Sequence, residues 1–184
     1  MDSNQIIFLN GASSSGKSSI AKVLQNHLEK PYLNISEDMF FDTLPARNYS
    51  QDEYFRYGLR LYNGFTHCVR TLAEYGNKVI VDTVAWNPGS LDGFVKSLWK
   101  MSVFSIGLHC PLSLLEIREK QRSNRSLGLA RKQFEAAHHN ALYDFEIDTS
   151  QNDNNACAKL IIQALKNPPT PHAFAKMKQV FRDE

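Results

Sequence analysis

The apolar positions change period several times along the chain, and those changes outline its architecture. Ile6-Ile7-Phe8-Leu9 is a continuous apolar run of strand length. From Ile20 the spacing turns helical, with Ile20, Val23, Leu24 and Leu28 at i, i+3, i+4 and i+8. A short second strand is expected over residues 32–36, behind Pro31. A polar stretch to Gln51 precedes a long helix whose stripe is Tyr54, Leu61, Phe65, Val69 and Leu72; Gly76-Asn77 stops it after about Tyr75. Lys78-Val79-Ile80-Val81-Asp82-Thr83 reads as a buried strand ending in an acid and a threonine.

Asn87-Pro88-Gly89-Ser90 reads as a turn, with Ser90 the expected N-cap of a helix over residues 91–99. A strand follows over residues 103–109. Pro111 then suits the first turn of a helix carrying Leu114, Leu115 and Arg118. A short helix is expected near residues 130–139 and a strand over residues 143–148. Asp153 or Asn154 starts an amphipathic helix with Cys157, Leu160, Ile161, Ala164 and Leu165 on one face. Residues 167–171 break it, and Phe174, Met177 and Phe181 mark one more short helix.

Five strands alternating with helices predict an α/β fold, a five-stranded parallel sheet with helices on both faces. Ligands of such sheets bind outside the carboxyl ends of the strands. That rule brings the loop after Leu9, Asp38 and Asp82 to one edge, although they are far apart in sequence. The expected organisation is one domain over residues 1–166, with an Arg-rich lid near residues 116–130, then a tail over residues 167–184.

Composition narrows the classes of function. The 184 residues suffice for one domain with a sizeable core, and 42% apolar with 22% charged residues argues against disorder. Lys+Arg 21 against Asp+Glu 19 is too balanced for a nucleic-acid or membrane surface. No apolar run approaches the ~20 residues that span a bilayer, and Met1-Asp2-Ser3-Asn4 lacks the features of a signal peptide. A cytoplasmic location is therefore expected, with Cys68, Cys110 and Cys157 reduced. The oligomeric state stays open, a homo-oligomer included.

The chemistry concentrates in Gly11-Ala12-Ser13-Ser14-Ser15-Gly16-Lys17-Ser18, a complete phosphate-binding loop between a strand and a helix. The loop alone says P-loop NTPase; the fold expected is one that resembles nucleoside and shikimate kinases. Gly11 and Gly16 are expected to take positive φ and to let the backbone approach phosphate. The N–H groups from Ala12 to Ser19 form an anion nest at a helix N-terminus. Lys17 reaches the β- and γ-phosphates and the Ser18 hydroxyl ligates Mg²⁺, so ATP and Mg²⁺ are the implied ligands.

Other polar residues carry two readings each. Asp38, just after the second strand, either takes the proton of an acceptor hydroxyl or caps a helix. Asp42, one turn later, either lines the same pocket or does not. Asp82 either holds the Mg²⁺ shell or shapes a turn. Arg118, Arg122 and Arg125 share a helix face; they either close over the triphosphate or form a solvated face with Glu116 and Glu119. His138-His139 has no Cys, Asp or Glu at metal-ligand spacing. Trp86, Phe40, Phe41 and Tyr54 are candidates for an apolar acceptor pocket or for the core.

With these residues assembled, the chain resembles the chloramphenicol phosphotransferase family of P-loop kinases, from the first strand to about residue 165. Gly11-Ala-Ser-Ser-Ser-Gly-Lys-Ser18 is similar to the family's Gly-Gly-Ser-Ser-Ala-Gly-Lys-Ser loop. Asp38-Met-Phe-Phe-Asp42-Thr-Leu-Pro45 resembles its Asp-x-x-x-Asp-x-x-Pro segment, whose first Asp is the family's proposed base. Val79-Ile-Val-Asp82 is similar to its third strand, Cys110 with the run from Glu116 to Ala130 to its Arg-rich lid, and the run from Tyr143 to Thr149 to its last strand. The chain departs from the family where Asn124-Arg125 stands for Gly-Asp-Arg, where Asp82-Thr83 stands for Asp-Asp, and through residues 46–65. The resemblance implies ATP-dependent phosphorylation of a small-molecule hydroxyl, with Asp38, Lys17, Arg122 and Arg125 catalytic, Arg118 on the nucleotide, and antibiotic resistance as a role. The competing class is a nucleotide-binding regulatory or toxin-type module that acts on a macromolecule.

Overall fold

Strand β1 (Ile6–Asn10) is buried at every position, so both of its faces need cover and its place is the middle of a sheet. The structure is a computed structural model that describes residues 5–86, 88–122, 127–170 and 172–180. Its strands β1, β2 (Tyr32–Ser36), β3 (Lys78–Thr83), β4 (Val103–His109) and β5 (Phe145–Asp148) form one parallel sheet in the order β2-β3-β1-β4-β5. The expected five-stranded parallel architecture is what the chain adopts.

The helices in chain order are α1 (Lys17–His27), α2 (Glu37–Phe41), α3 (Gln51–Glu74), α4 (Pro88–Leu98), α5 (Leu112–Lys120), α6 (Leu129–Phe134), α7 (Asn154–Leu165) and α8 (Ala173–Val180). A single 3-10 turn, Ala136–His138, follows α6. Alternation along the strands divides the core in two. Ile6, Phe8, Val79, Val81 and Val103 pack under α3, α4 and α8. Ile7, Leu9, Ile80, Phe104, Ile106, Leu108 and Ile147 pack under α1 and α7. A smaller cluster of Ala12, Cys110, Leu115, Ala130 and Ala137 seats α5 and α6 against the loop after β1.

Register sets the working edge. Leu9 pairs with Asp82 and Ser36 also pairs with Asp82, while His109 pairs with Asp148. The strand ends therefore stand level, and the loops after them share one rim.

Several expectations need correction. The buried stripe of α3 is Tyr62, Phe65, Thr66, Val69 and Ala73, whereas Tyr54 is mostly exposed. The first two turns of this 24-residue helix hold no buried residue. Its start carries a capping box, with Ser50 Oγ accepting from Glu53 N and Glu53 Oε2 accepting from Ser50 N. Helix α4 begins at Pro88, so Ser90 is not its N-cap; Ser90 is buried and its carbonyl accepts the Tyr62 hydroxyl at 2.8 Å. Tyr143 precedes β5, and its ring lies where a Cβ on Gly107 would come within 2.6 Å of it. The carboxylate of Asp144 spans two elements, accepting from Ser105 N at 2.8 Å and Ala173 N at 2.7 Å. It thus pins the start of α8, whose Phe174 meets Phe8 edge to face. Phe181 lies outside the described residues, as does Asn87.

Candidate active site

The loop between β1 and α1 is held from behind before it touches any ligand. A Cβ on Gly11 would sit 2.5 Å from the Leu108 carbonyl oxygen, so glycine is required there by contact with β4. This corrects the expectation of positive φ at Gly11: the left-handed residues of the loop are Ser14 (φ 67) and Gly16 (φ 96). Left-handed serine costs roughly 1–2 kcal/mol, strain of the kind that phosphate cradles carry. Ser13 N donates to Gln133 Oε1 of α6 at 2.9 Å, which ties the loop to that helix. Asn10, fully buried, accepts from Ala85 N through Oδ1 and donates through Nδ2 to the Ala137 carbonyl and the Tyr143 hydroxyl.

The hydroxyls of Ser13, Ser14 and Ser15 are buried with no hydrogen-bond partner among the described residues. Buried donors without acceptors are costly. Three in one anion nest fit a ligand rich in acceptor oxygens, which a triphosphate is. Lys17 Nζ lies along the loop, donating to the Gly11 and Ala12 carbonyls at 2.8 and 3.1 Å. Ser18 Oγ donates to Asp82 Oδ2 at 2.6 Å. A hydroxyl and a carboxylate at this corner are hard oxygen donors of the kind Mg²⁺ takes alongside phosphate oxygens.

A cavity of about 40 Å³ opens at this corner, lined by Ser13, Ser14, Gly16, Lys17, Ser18, Glu37, Asp38, Asp82, Thr83, Val84 and Arg122. It brings together the loop, Asp38, Asp82 and Arg122 from four separate segments. Asp42, at the C-terminal end of α2, is not among the lining residues. The N-cap of α2 is Ser36, whose Oγ accepts from Met39 N at 3.4 Å. Asp38 is therefore not the cap, and its carboxylate stands exposed at the cavity.

The arginines separate. Arg122 reaches the cavity. Arg118 points elsewhere, donating to Thr149 Oγ1 at 3.2 Å and to the Thr149 carbonyl at 2.9 Å, and so braces the turn after β5. Arg125 lies outside the described residues. Glu116 and Glu119 do not neutralise a common arginine face. Glu116 pairs with Arg131 at 2.7 Å, and buried Glu119 accepts from Gly128 N and Ala130 N at 2.7 and 2.8 Å. Glu119 thereby satisfies the first amides of α6 from another helix.

Glu37 is the cavity residue that sequence reasoning passed over. Thr83 Oγ1 donates to Glu37 Oε2 at 2.7 Å and the Val84 amide also donates to it. Burial pushes the Glu37 carboxyl above the ordinary carboxylate range, and these hydrogen bonds only partly offset that. The sole local signal was an acid next to Asp38. Behind the loop, His138 stacks on His109 with ring centroids 4.1 Å apart. Burial, then the neighbouring His109, lowers the His138 pKa to about 4, so the neutral ring faces the Tyr143 hydroxyl at 2.7 Å. No group of three His, Cys, Asp or Glu side chains with metal-binding geometry occurs among the described residues. None of their helices is long and apolar enough to cross a membrane.

Comparison with known proteins agrees with this geometry. The profile of a family described as chloramphenicol phosphotransferase-like protein matches residues 4–166. A Mycobacterium tuberculosis protein provisionally named an O-phosphotransferase is 26% identical over 204 residues, covering 98% of this chain and 91% of its own. The APS kinase of the same organism, solved with AMPPNP and APS, superposes with a TM-score of 0.68 at 17% identity, over 89% of this chain and 98% of the kinase. The tunicamycin resistance protein of Deinococcus radiodurans superposes with a TM-score of 0.62 at 16% identity, over 91% and 99%.

Proposed function

The chain belongs to the chloramphenicol phosphotransferase-like family of P-loop kinases, and we propose that it transfers the γ-phosphoryl group of ATP to a hydroxyl of a small molecule. One observation carries the reading. A single cavity joins a strained loop with buried unpartnered hydroxyls, a Ser18–Asp82 pair and an exposed Asp38 carboxylate. Each is one of the parts that in-line phosphoryl transfer needs.

In this mechanism the triphosphate lies on the amides and hydroxyls from Ala12 to Ser19. Lys17 exchanges its bonds to the Gly11 and Ala12 carbonyls for β- and γ-phosphate oxygens. Bound Mg²⁺, held at Ser18 and Asp82, would supply charge neutralisation between the phosphates. Asp38 accepts the proton of the acceptor hydroxyl as its oxygen bonds to the γ-phosphorus, the bond to the β-γ bridging oxygen breaks, and ADP departs. Arg122, and with it Arg125 of the same sequence run, is proposed to balance the charge on the transferring group. Arg118 serves the nucleotide end indirectly, by holding the turn at Thr149.

The acceptor is proposed to be an antibiotic-like alcohol, with chloramphenicol the first to test. Purified protein is incubated with ATP and Mg²⁺, with and without the drug, and products are resolved by mass spectrometry. A phosphorylated drug supports the reading in full and assigns an antibiotic-inactivating role. ADP released without a modified drug moves the search to other alcohols. Nucleotide binding without turnover on any alcohol overturns the phosphotransferase reading in favour of a nucleotide-binding module.

A further inference from the structure

The end of β3 carries two polar residues that face opposite sides of the sheet. Strand side chains alternate; Ile80 belongs to the α1 and α7 side, and Val79 and Val81 to the side of α3, α4 and α8. Asp82 therefore faces α1, where it meets Ser18. Thr83 faces the other side, where it meets Glu37. One further contact agrees: Phe40, one turn along α2 from Glu37, packs on Phe65 of α3 with centroids 5.2 Å apart. The cavity is thus flanked by a metal-side carboxylate, Asp82, and by a second carboxyl on the opposite side, beside Asp38.

The Glu37 carboxyl has a defined orientation. Thr83 Oγ1 and the Val84 amide hold it from β3, yet an ionised carboxylate offers about four lone-pair sites. The sites left over open into the cavity that Asp38 lines. A carboxyl held in this way can receive hydrogen bonds and make none when ionised. Its fitting partner is a donor; Lys17, which lines the same cavity and bears on the Glu37 charge, is one, and a bound acceptor can carry another.

We propose that Glu37 takes a hydrogen bond from a second donor, a hydroxyl or an ammonium, that the acceptor carries beside the hydroxyl being phosphorylated. This rests on the phosphotransferase reading and deepens it by giving a substrate class: diols and amino alcohols over simple alcohols. It also supplies a physical meaning for Thr83, which stands where the related family often has a second aspartate. The carboxyl at this corner comes from α2, and the threonine holds it.

The test has a nucleotide arm and an acceptor arm. In the first, Mg²⁺-dependent binding of AMPPNP is measured for the wild type, Glu37→Ala and Asp82→Asn. Glu37→Ala is expected to hold its affinity within about twofold, whereas Asp82→Asn loses roughly tenfold, the scale of one charge-assisted contact. Equal losses would overturn the side assignment. In the second arm, kcat and KM are measured with chloramphenicol, whose second donor is a hydroxyl, ethanolamine, whose second donor is an ammonium, and benzyl alcohol, which has none. For a substrate with a second donor, Glu37→Ala should raise KM by roughly tenfold more than for benzyl alcohol, and by more than it lowers kcat. Glu37→Gln restores much of the loss for a hydroxyl donor and little for an ammonium, which separates the two sources. A uniform loss across all three overturns the proposal. Should Glu37→Ala fail to fold, Thr83→Val removes only the brace and is expected to raise the same KM to a smaller extent; no selective change there also overturns it. If the wild type phosphorylates none of the three, the phosphotransferase reading fails on these alcohols, and the AMPPNP comparison still supports or overturns the place of Glu37.

Discussion

The two halves of the cavity are built from different materials. The half proposed for the nucleotide is mostly backbone: eight consecutive residues, two of them left-handed and six of them buried, braced from behind by Leu108, Gln133 and Asn10. The acceptor half is side chain: Glu37, Asp38 and Thr83 from two segments, beside a surface on which Met39, Tyr54, Phe55 and Leu59 stand exposed. A backbone cradle can be written in one short motif and resists change where a substitution meets a neighbour, as at Gly11, or a left-handed backbone, as at Gly16. A cradle of side chains can be rewritten residue by residue. Such a division lets one family keep its phosphate donor while changing its alcohol.

That contrast can be broken by mutation. The largest expected effect is at Lys17, where Lys17→Ala should lower kcat by on the order of 10³ or more, read as ADP release with any acceptor. Asp38→Asn should lower kcat by roughly 10²-fold while Mg·AMPPNP affinity, followed by calorimetry, changes little. Turnover within a few-fold of wild type would remove Asp38 as the base. On the nucleotide half, Gly11→Ala forces a Cβ against the Leu108 carbonyl oxygen. It should cost about 1–3 kcal/mol in urea unfolding, with the acceptor KM hardly altered in whatever protein remains folded.

The smallest effect sharpens the comparison through pH. His138 titrates at about 4 in the fold against an ordinary 6.5. Between those values the unfolded chain binds a proton that the native ring refuses. Stability from this site is complete above pH 6.5 and is lost as pH falls toward about 4. His138→Phe should flatten that part of the melting-temperature profile. Glu37 has the opposite sign. Its raised carboxyl favours the fold at low pH, and that advantage is lost as pH rises through its titration, so Glu37→Gln should gain stability relative to wild type toward neutral pH.

The same division governs how much was legible in the sequence. The phosphate loop and the strands are carried by contiguous patterns, a motif between a strand and a helix reads directly, and Asp82 reads from its place at the end of an apolar strand. Glu37, Gln133, Glu119 and Asp144 have no such pattern. Their partners lie 46, 120, 9 to 11 and 29 to 39 residues away, and a polar residue adds nothing to a hydrophobic period. Tyr54 and Tyr62 differ by eight residues on one helix, and Tyr62 is covered because it packs on Phe94 of α4 and donates to the Ser90 carbonyl. Ser90 was misread because proline at the first helical position starts α4 earlier than a capping serine would.

Phe174 and Met177 carry a practical warning for anyone trimming the gene. The match to the family profile stops at Lys166, which invites an expression boundary there. Yet α8 lies across Phe8 on the central strand and shields the middle of the sheet. A shortened protein would keep every residue proposed for catalysis and still present a greasy furrow to its neighbours, and inclusion bodies would be its commonest product.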